Sequence, residues 1–497
     1  MPPFKATDPD PLNGSELEKV AHLLTRHLDE AQAAAIPVLP HIIPEAMLQR
    51  WSLPIPESGH GTEAALALLE RTLEDSNHLH HPRYMGHQVS APLPLAAACD
   101  LVSALLNNGA AVYEMGQVET VMEAHLVRWI AGLAGFDADL AGGLFTSGGS
   151  LGNLTALLAA RQVMGRRKGL GDLWHDGYES GKPRPAILVS AQAHYCVQRA
   201  AQVMGLGAQG VVPVGTDAAL RLDADALPAA CETARLAGRE PIAVVASACS
   251  TATGSYDPID RIADFCAARD LWLHVDGAHG FGAVLTPQYA LLLKGVARAD
   301  SLVWDLHKML RMPALCSAVV FRDKAHSYAT FAQDASYLFQ GSPEEEWYNL
   351  GQRTLECTKV MMALKAFICL QAYGTRYFAD YIAGRYALTQ RFYERLHASA
   401  DFECPVAPQA NILCFRHVPE RFPVAALDAL QSSIREQLIG SGKFYIAQTR
   451  LAGRLYLRVT LINPLTQDSD LQALLEEIRS VATGSVGAPQ GSPETSP

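Results

Sequence analysis

The chain has 497 residues, 49% hydrophobic and 18% charged, with a formal net charge of −11. Such a balance supports a large buried core in two or three domains and excludes a chain disordered throughout. The acidic excess argues against nucleic-acid binding, which needs a basic face, but leaves the charge of a small substrate open.

Residues 1–14 are rich in Pro and Asp and read as mobile. MPPFKATDPDPLNG lacks a basic start followed by an apolar run, so no signal peptide is expected. Ser15 and Glu18 form an S-x-x-E capping box, which predicts a helix to about Gln32. The prolines of 35–60 suggest an extended arm, and helices resume near 62–76. PLPLAAACDLVSALLNN is interrupted by Asp100, Asn107 and Asn108, and no membrane span is expected. Two helices are predicted within 91–136, the second over about 118–133.

From 142 to 321 short apolar runs alternate with Ala-rich amphipathic stretches. The runs are AILVS (186–190), VVPV (211–214), AVVAS (243–247), LWLHV (271–275), SLVW (301–304) and SAVVF (317–321). Runs of this length bounded by Gly, Pro and Asp predict strands buried on both faces. Helical patterns such as DRIADFCAARD lie between them, which implies an α/β fold with a mostly parallel sheet. Residues 352–396 read as helical. Strands near 411–418 and 454–461 and a helix over 468–481 form a smaller α+β region, and 482–497 is a low-complexity tail expected to be disordered. The domains expected are thus an N-terminal arm with helices (1–100), a large domain (101–370), a small C-terminal domain (371–481) and the tail. Ten scattered cysteines, without C-x-x-C or metal-ligand spacing, suit buried thiols in a reducing compartment and predict no metal site. The cytoplasm is the expected setting.

Ligands of parallel α/β sheets bind beyond the carboxyl ends of the strands, and four such ends carry suggestive groups. TSGGSLGNLTALL (146–158) runs a small-residue loop into a helix, which suits a phosphate at backbone N–H groups, or simply a tight turn. Asp276 ends the apolar run LWLHV, where a carboxylate needs a cation unless it caps a turn. His194 follows ILVS, a position more often structural when taken alone. Lys308, in WDLHKML, follows Asp276 by one strand–helix unit. Together these are the parts that hold pyridoxal phosphate: an amine for its aldehyde, an acid for its ring nitrogen, a flat ring to stack and a loop for the phosphate.

The order and wording of these motifs resemble the group II pyridoxal-phosphate decarboxylases, which act on glutamate, cysteine sulfinate, aromatic amino acids or 2,4-diaminobutyrate. HVDGAHGFGAVL resembles the family's H-V-D-A-A stretch, and DSLVWDLHKMLRMPALCSA its Schiff-base segment. HPRYMGHQ, TSGGSLGNL, GSYDPI and LRVTLINP match in order, so the resemblance covers about residues 60–480.

The resemblance implies the aspartate-aminotransferase-like (fold type I) architecture, a homodimer and release of CO2 and an amine from an amino acid. It makes Lys308 the cofactor lysine, with His307 near the phosphate. Asp276 pairs with the ring nitrogen and His194 stacks on the ring. Gly149 and Ser150 lie at the phosphate, and Ser250 or Thr251 near the ring. Gln88 touches substrate or ring, and Arg458 receives the substrate carboxylate. ASYLFQ (335–340) resembles the catalytic loop of the glutamate and cysteine-sulfinate branch, with Tyr337 as proton donor to Cα. Without the resemblance Tyr337 reads as an ordinary aromatic, and Arg458 as an outward-pointing strand residue.

Three positions depart from the family pattern: Gly277 for Ala, CST (249–251) for G-T-T, and Asp305 where several relatives carry Asn. ASYLFQ points to an acidic substrate, whereas HPRYMGHQ and NNGAAVYEMG look like bacterial members that include diaminobutyrate decarboxylases. The alternatives are transamination, aldol cleavage or decarboxylation with oxidation to an aldehyde on the same scaffold, or an inactive relative. Tyr337 argues for simple protonation, and the retained Lys308 and Asp276 against inactivity.

Overall fold

Seven short apolar segments pair into one sheet, in a computed structural model that describes residues 14–331 and 347–486. They are β1 (Gly142–Thr146), β2 (Arg184–Ser190), β3 (Val211–Val214), β4 (Arg239–Ser247), β5 (Trp272–Asp276), β6 (Ser301–Asp305) and β7 (Ser317–Phe321), in the order β1-β7-β6-β5-β4-β2-β3. Strands β3, β2, β4, β5 and β6 pair in parallel, while β7 runs antiparallel to both β1 and β6. Every residue of β1, β5, β6 and β7 is buried. Burial on both faces is why these segments read as continuous apolar runs and not as alternating ones. The strand β1, GGLFT, was not among the expected strands, because its two glycines shorten the apolar run.

The chain divides into two compact units. One comprises residues 88–394 and 404–414 and carries this sheet. Its helices include α4 (Pro94–Leu106), α5 (Gln117–Ala134) and α6 (Gly149–Arg167). The other comprises 1–87, 395–403 and 415–497. Its described part begins with α1 (Ser15–Gln32), α2 (Pro44–Trp51) and α3 (Thr62–Glu74). Helix α2 falls in the stretch expected to be extended; Pro44 at its first turn loses no hydrogen bond there and presets φ for a helix. Later in this unit β8 (Phe402–Glu403) pairs antiparallel with the end of β9 (Ile412–His417) through Phe402↔His417 and Glu403↔Arg416. A hairpin follows, β10 (Ala447–Leu451) against β11 (Arg454–Thr460), with Ala447 opposite Arg458. The helix Asp468–Val486 ends the described chain. The expected tail at 482–497 lies outside the described residues from 487 on. No described helix is long and apolar enough to cross a membrane.

Two acids on α5 tie the sheet to the helix that follows it in the same unit. Glu123 is buried, accepts the Phe145 N–H of β1 at 2.8 Å and pairs with the equally buried Lys359. Glu119, fully buried, accepts the N–H groups of Ala363 (2.6 Å) and Leu364 (3.0 Å) in the first turn of the helix Met362–His397. That places a carboxylate on free donors at a helix N-terminus, yet burial, and then the neighbouring Glu123, push Glu119 up to about 7.

A raised acid pKa means that the folded state binds more protons than the unfolded one between the two values. Its contribution is full below the unfolded value and is lost as pH rises through about 7. We therefore expect the unfolding free energy of the wild type, measured in urea, to fall relative to that of Glu119→Gln between pH 5 and pH 8, by up to about 3 kcal/mol. Parallel pH profiles for the two proteins would show that Glu119 ionises normally.

Candidate active site

Parallel pairing carries the ends of β4, β5 and β6 to one edge of the sheet, and the antiparallel β7 starts beside them with Ser317 opposite Asp305. A cavity of about 270 Å³ opens at that edge. Its lining includes Ser147, Gly149, Ser150, Asn153, His194, Cys249, Ser250, Thr251, Asp276, Asp305, His307 and Lys308. Eight of the positions singled out in the sequence thus meet in one place, although residues 149 and 308 are separated by about half of their unit.

The start of α6 forms one side of the cavity. Gly148 caps the helix at φ 95°, a conformation that needs glycine. The next residue is held by space: a Cβ on Gly149 would stand 2.7 Å from an oxygen of Asp305. The loop thus lies flat at a helix N-terminus whose first N–H groups have no helical acceptor.

At the end of β5, Asp276 is buried and accepts the Asn153 amide at 3.2 Å and the Ala278 N–H at 3.2 Å. Asn153 is itself fixed by His274, whose Nε2 lies 2.7 Å from Asn153 Oδ1 and whose Nδ1 lies 2.8 Å from Ser301 Oγ. Burial lowers His274 to about 3, so this ring is neutral and donates through one nitrogen only. The chain Ser301–His274–Asn153–Asp276 therefore sets the orientation of the acid. Burial raises the Asp276 pKa, and Lys308 opposes that rise. A buried carboxylate of this kind is stabilised by a cation facing it, the role a protonated ring nitrogen fills.

Lys308 follows β6 on a short helical turn, and its Nζ lies 3.0 Å from Asp305 Oδ2. His307 packs its Nδ1 against the Cys316 carbonyl at 3.0 Å and turns Nε2 toward Asp305 at 3.7 Å. Opposite, His194 Nδ1 accepts the Cys196 N–H at 3.3 Å, which leaves Nε2 to carry the proton. Burial lowers the pKa of His194, so the ring offers a neutral face. The Ser250 hydroxyl is 2.7 Å from that of Thr253, inside the turn that shapes this wall. Amine, acid, flat ring and helix-end loop line one cavity, and this donor set fits pyridoxal phosphate.

Two expected positions are not among the residues lining this cavity, and a third falls outside the described residues. Gln88 begins the same unit with its side-chain nitrogen buried, but it does not line this cavity. The chain just beyond it touches the site, since Ser90 Oγ donates to the His307 carbonyl at 3.1 Å. Arg458 is buried at the centre of β11 in the other unit, 3.4 Å from the Gly86 carbonyl. Tyr337 lies outside the described residues. Sequence reasoning did not single out Asn153, His274 or Ser317 at all. Asn153 carried a signal in hindsight, being an amide on the buried face of a helix just after a glycine loop.

Comparison with known proteins agrees with this arrangement. The model of the pyridoxal-dependent decarboxylase conserved domain matches residues 44–418. L-2,4-diaminobutyrate decarboxylase of Rhizobium meliloti (strain 1021) is 33% identical over 444 residues, 86% of this chain and 84% of that protein. Acidic amino acid decarboxylase GADL1 of Mus musculus is 28% identical, covering 88% and 80%. The crystal structure of mouse CSAD superposes with a TM-score of 0.87 at 26% identity, over 94% of this chain and 98% of that one. The chain belongs to the pyridoxal-dependent decarboxylase family. It has the fold of these pyridoxal-phosphate enzymes and is a pyridoxal-phosphate-dependent amino-acid decarboxylase.

The space at Gly149 gives a direct check on the anion loop. Gly149→Ala should weaken pyridoxal-phosphate binding to the apo-protein by roughly tenfold or more, the loss of a well-placed charge-assisted contact. Absorbance titration measures it. An unchanged affinity would remove the loop from the cofactor site.

Proposed function

We propose that the protein releases CO2 and the corresponding amine from an L-amino acid at the Lys308 cavity, as a homodimer in the cytoplasm. The observation that carries the assignment of residues is the joint presence of Lys308, Asp276 and the Gly149–Ser150 loop around one cavity.

When bound, the cofactor supplies a conjugated cationic ring that accepts the electron pair left by departing CO2. Lys308 would hold it through Nζ and return to it after the product leaves. Asp276, oriented by Asn153, would keep the proton on its ring nitrogen. His194 would cover one ring face, with Ser250 and Thr251 at the ring edge. Gly149, Ser150 and His307 would bind the phosphate. Arg458 is assigned to the substrate's α-carboxylate, Gln88 to substrate or ring, and Tyr337 to protonation of Cα. These three roles rest on the family resemblance.

For the substrate, the first reading is an amino acid with a cationic side chain, as in 2,4-diaminobutyrate. It is favoured by the relative at 33% identity and by acid at the cavity rim, where Ser147 donates to the Glu356 carboxylate. The second reading is an acidic amino acid (glutamate, aspartate or cysteine sulfinate), favoured by the likeness to GADL1 and CSAD. A homodimer is supported by apolar side chains that the chain leaves open on two neighbouring stretches. Leu105 (63% exposed) and Leu106 (55%) lie on α4, Met115 (60%) just before α5 and Val118 (60%) in its first turn.

Purified protein with pyridoxal phosphate should release CO2 from 2,4-diaminobutyrate with a kcat/KM at least about tenfold above those for the acidic substrates, the scale of one charge pair. The reverse order selects the second reading. Lys308→Ala should release no CO2 from any of them, and Asp276→Asn should lower kcat by roughly 10²–10³. Accumulation of an aldehyde or keto acid in place of an amine would refute simple decarboxylation.

A further inference from the structure

Asp305 belongs to two sites at once. Its Oδ2 lies 3.0 Å from Lys308 Nζ and 3.7 Å from His307 Nε2, and its Oδ1 accepts the Ser317 hydroxyl at 2.6 Å. The same carboxylate presses on the anion loop, because a Cβ on Gly149 would meet its oxygens at 2.7 and 2.8 Å. It is 3% exposed, so water does not screen it. Burial alone would raise its pKa, but the charges of Lys308 and His307 overcome that, and the net shift is downward. A phosphate bound at the Gly149–Ser150 loop therefore arrives beside an ionised, buried carboxylate that is offset by one ammonium, Lys308.

Two anions beside the same glycine would share the single ammonium of Lys308, and a proton taken up beside them offsets the excess charge. The groups facing Asp305 are few. On its own segment they are Lys308, already paired with it, and His307, whose pKa burial lowers below the usual value. From β7 comes Ser317, from α6 the uncharged Gly149, and across the cavity Asp276 and His194 act at longer range. Lys365 opposes protonation of His307 from behind.

We propose that Asp305 couples cofactor capture to proton uptake: the phosphate enters the Gly149–Ser150 loop together with one proton from solvent, which the Asp305–His307 pair keeps. Asp305 is thus a positioning residue that holds Lys308 in the empty enzyme and makes cofactor affinity fall as pH rises. The idea rests on the assignment of the phosphate to that loop.

The test uses full-length apo-protein titrated with pyridoxal phosphate and followed by protein fluorescence between pH 6 and pH 8.5. Wild-type affinity should fall more steeply with pH than that of Asp305→Asn, with log-affinity slopes differing by up to about one per pH unit. Titration of the ligand itself is common to both proteins and cancels in the difference. Pyridoxal, which lacks the phosphate, should show no such difference. Calorimetry of inorganic phosphate binding to the wild type, in two buffers of unlike ionisation enthalpy, counts the protons without any variant. Close to one proton beyond the ligand's own change is expected at pH 7.5, and none would overturn the proposal, as would equal slopes. If Gly149→Ala also leaves phosphate affinity unchanged, the loop assignment itself fails. If Gly149→Ala weakens binding while Asp305 has no effect on the slope, only the coupling fails.

Discussion

Two buried carboxylates face one half-buried amine at the end of adjacent parallel strands, and the rest of the site is arranged around that imbalance. Asp276 ends β5, Asp305 ends β6, and Lys308 comes one turn later. A carboxylate without a cation at such a depth would cost several kcal/mol, so the arrangement demands a positive charge beyond Lys308. Asp305 takes the ammonium at 3.0 Å. Asp276 is left with dipoles alone, the Asn153 amide and the Ala278 N–H. Burial raises its pKa, and the charge of Lys308 offsets only part of that rise. A ligand with a cationic ring nitrogen relieves it, and an anionic tail for the α6 N-terminus balances the ligand's own charge.

The sheet topology makes this imbalance possible. Parallel pairing of β4, β5 and β6 forces their carboxyl ends to one edge, where main-chain groups run out of partners. The antiparallel insertion of β7 next to β6 adds what a purely parallel sheet lacks at this edge, a strand that starts there. Its first residue, Ser317, gives Asp305 a hydroxyl donor at 2.6 Å. The same register places the Cys316 carbonyl on His307, so the imidazole turns its other nitrogen into the cavity. One strand direction thus fixes two of the side chains flanking the lysine.

Much of the sheet and half of the site were legible in the sequence, for a physical reason. Strands buried on both faces show as unbroken apolar runs, so a polar residue at the end of such a run stands out; Asp276 and Lys308 were found in this way, and His194 just after ILVS. What supports them was not legible. His274 looks like an interruption of an apolar strand until its partner Asn153, 121 residues earlier, is brought against it. Ser317 is an unremarkable residue before SAVVF's apolar stretch. β1 hid behind its two glycines, and α2 behind a proline that marks a helix start as readily as an extended arm. Contacts made across such separations depend on the register of strands, which local pattern does not encode.

Asn153 shows why the support matters as much as the acid. A carboxylate can turn about its last bond, and its two oxygens then face different neighbours. Asn153 holds one oxygen of Asp276 while the Ala278 N–H holds the other. The amide of Asn153 cannot flip, because His274 Nε2 and Asp276 claim its two ends with opposite polarity. His274 in turn cannot reverse without losing Ser301. Since the ring stays neutral throughout the ordinary pH range, this orientation is independent of pH. On the other wall lie Asp305, His307 and Lys308, grouped around the Asp305 carboxylate. The cavity thus has one wall whose carboxylate is held by a neutral hydrogen-bonded chain and another whose carboxylate is held by an ammonium.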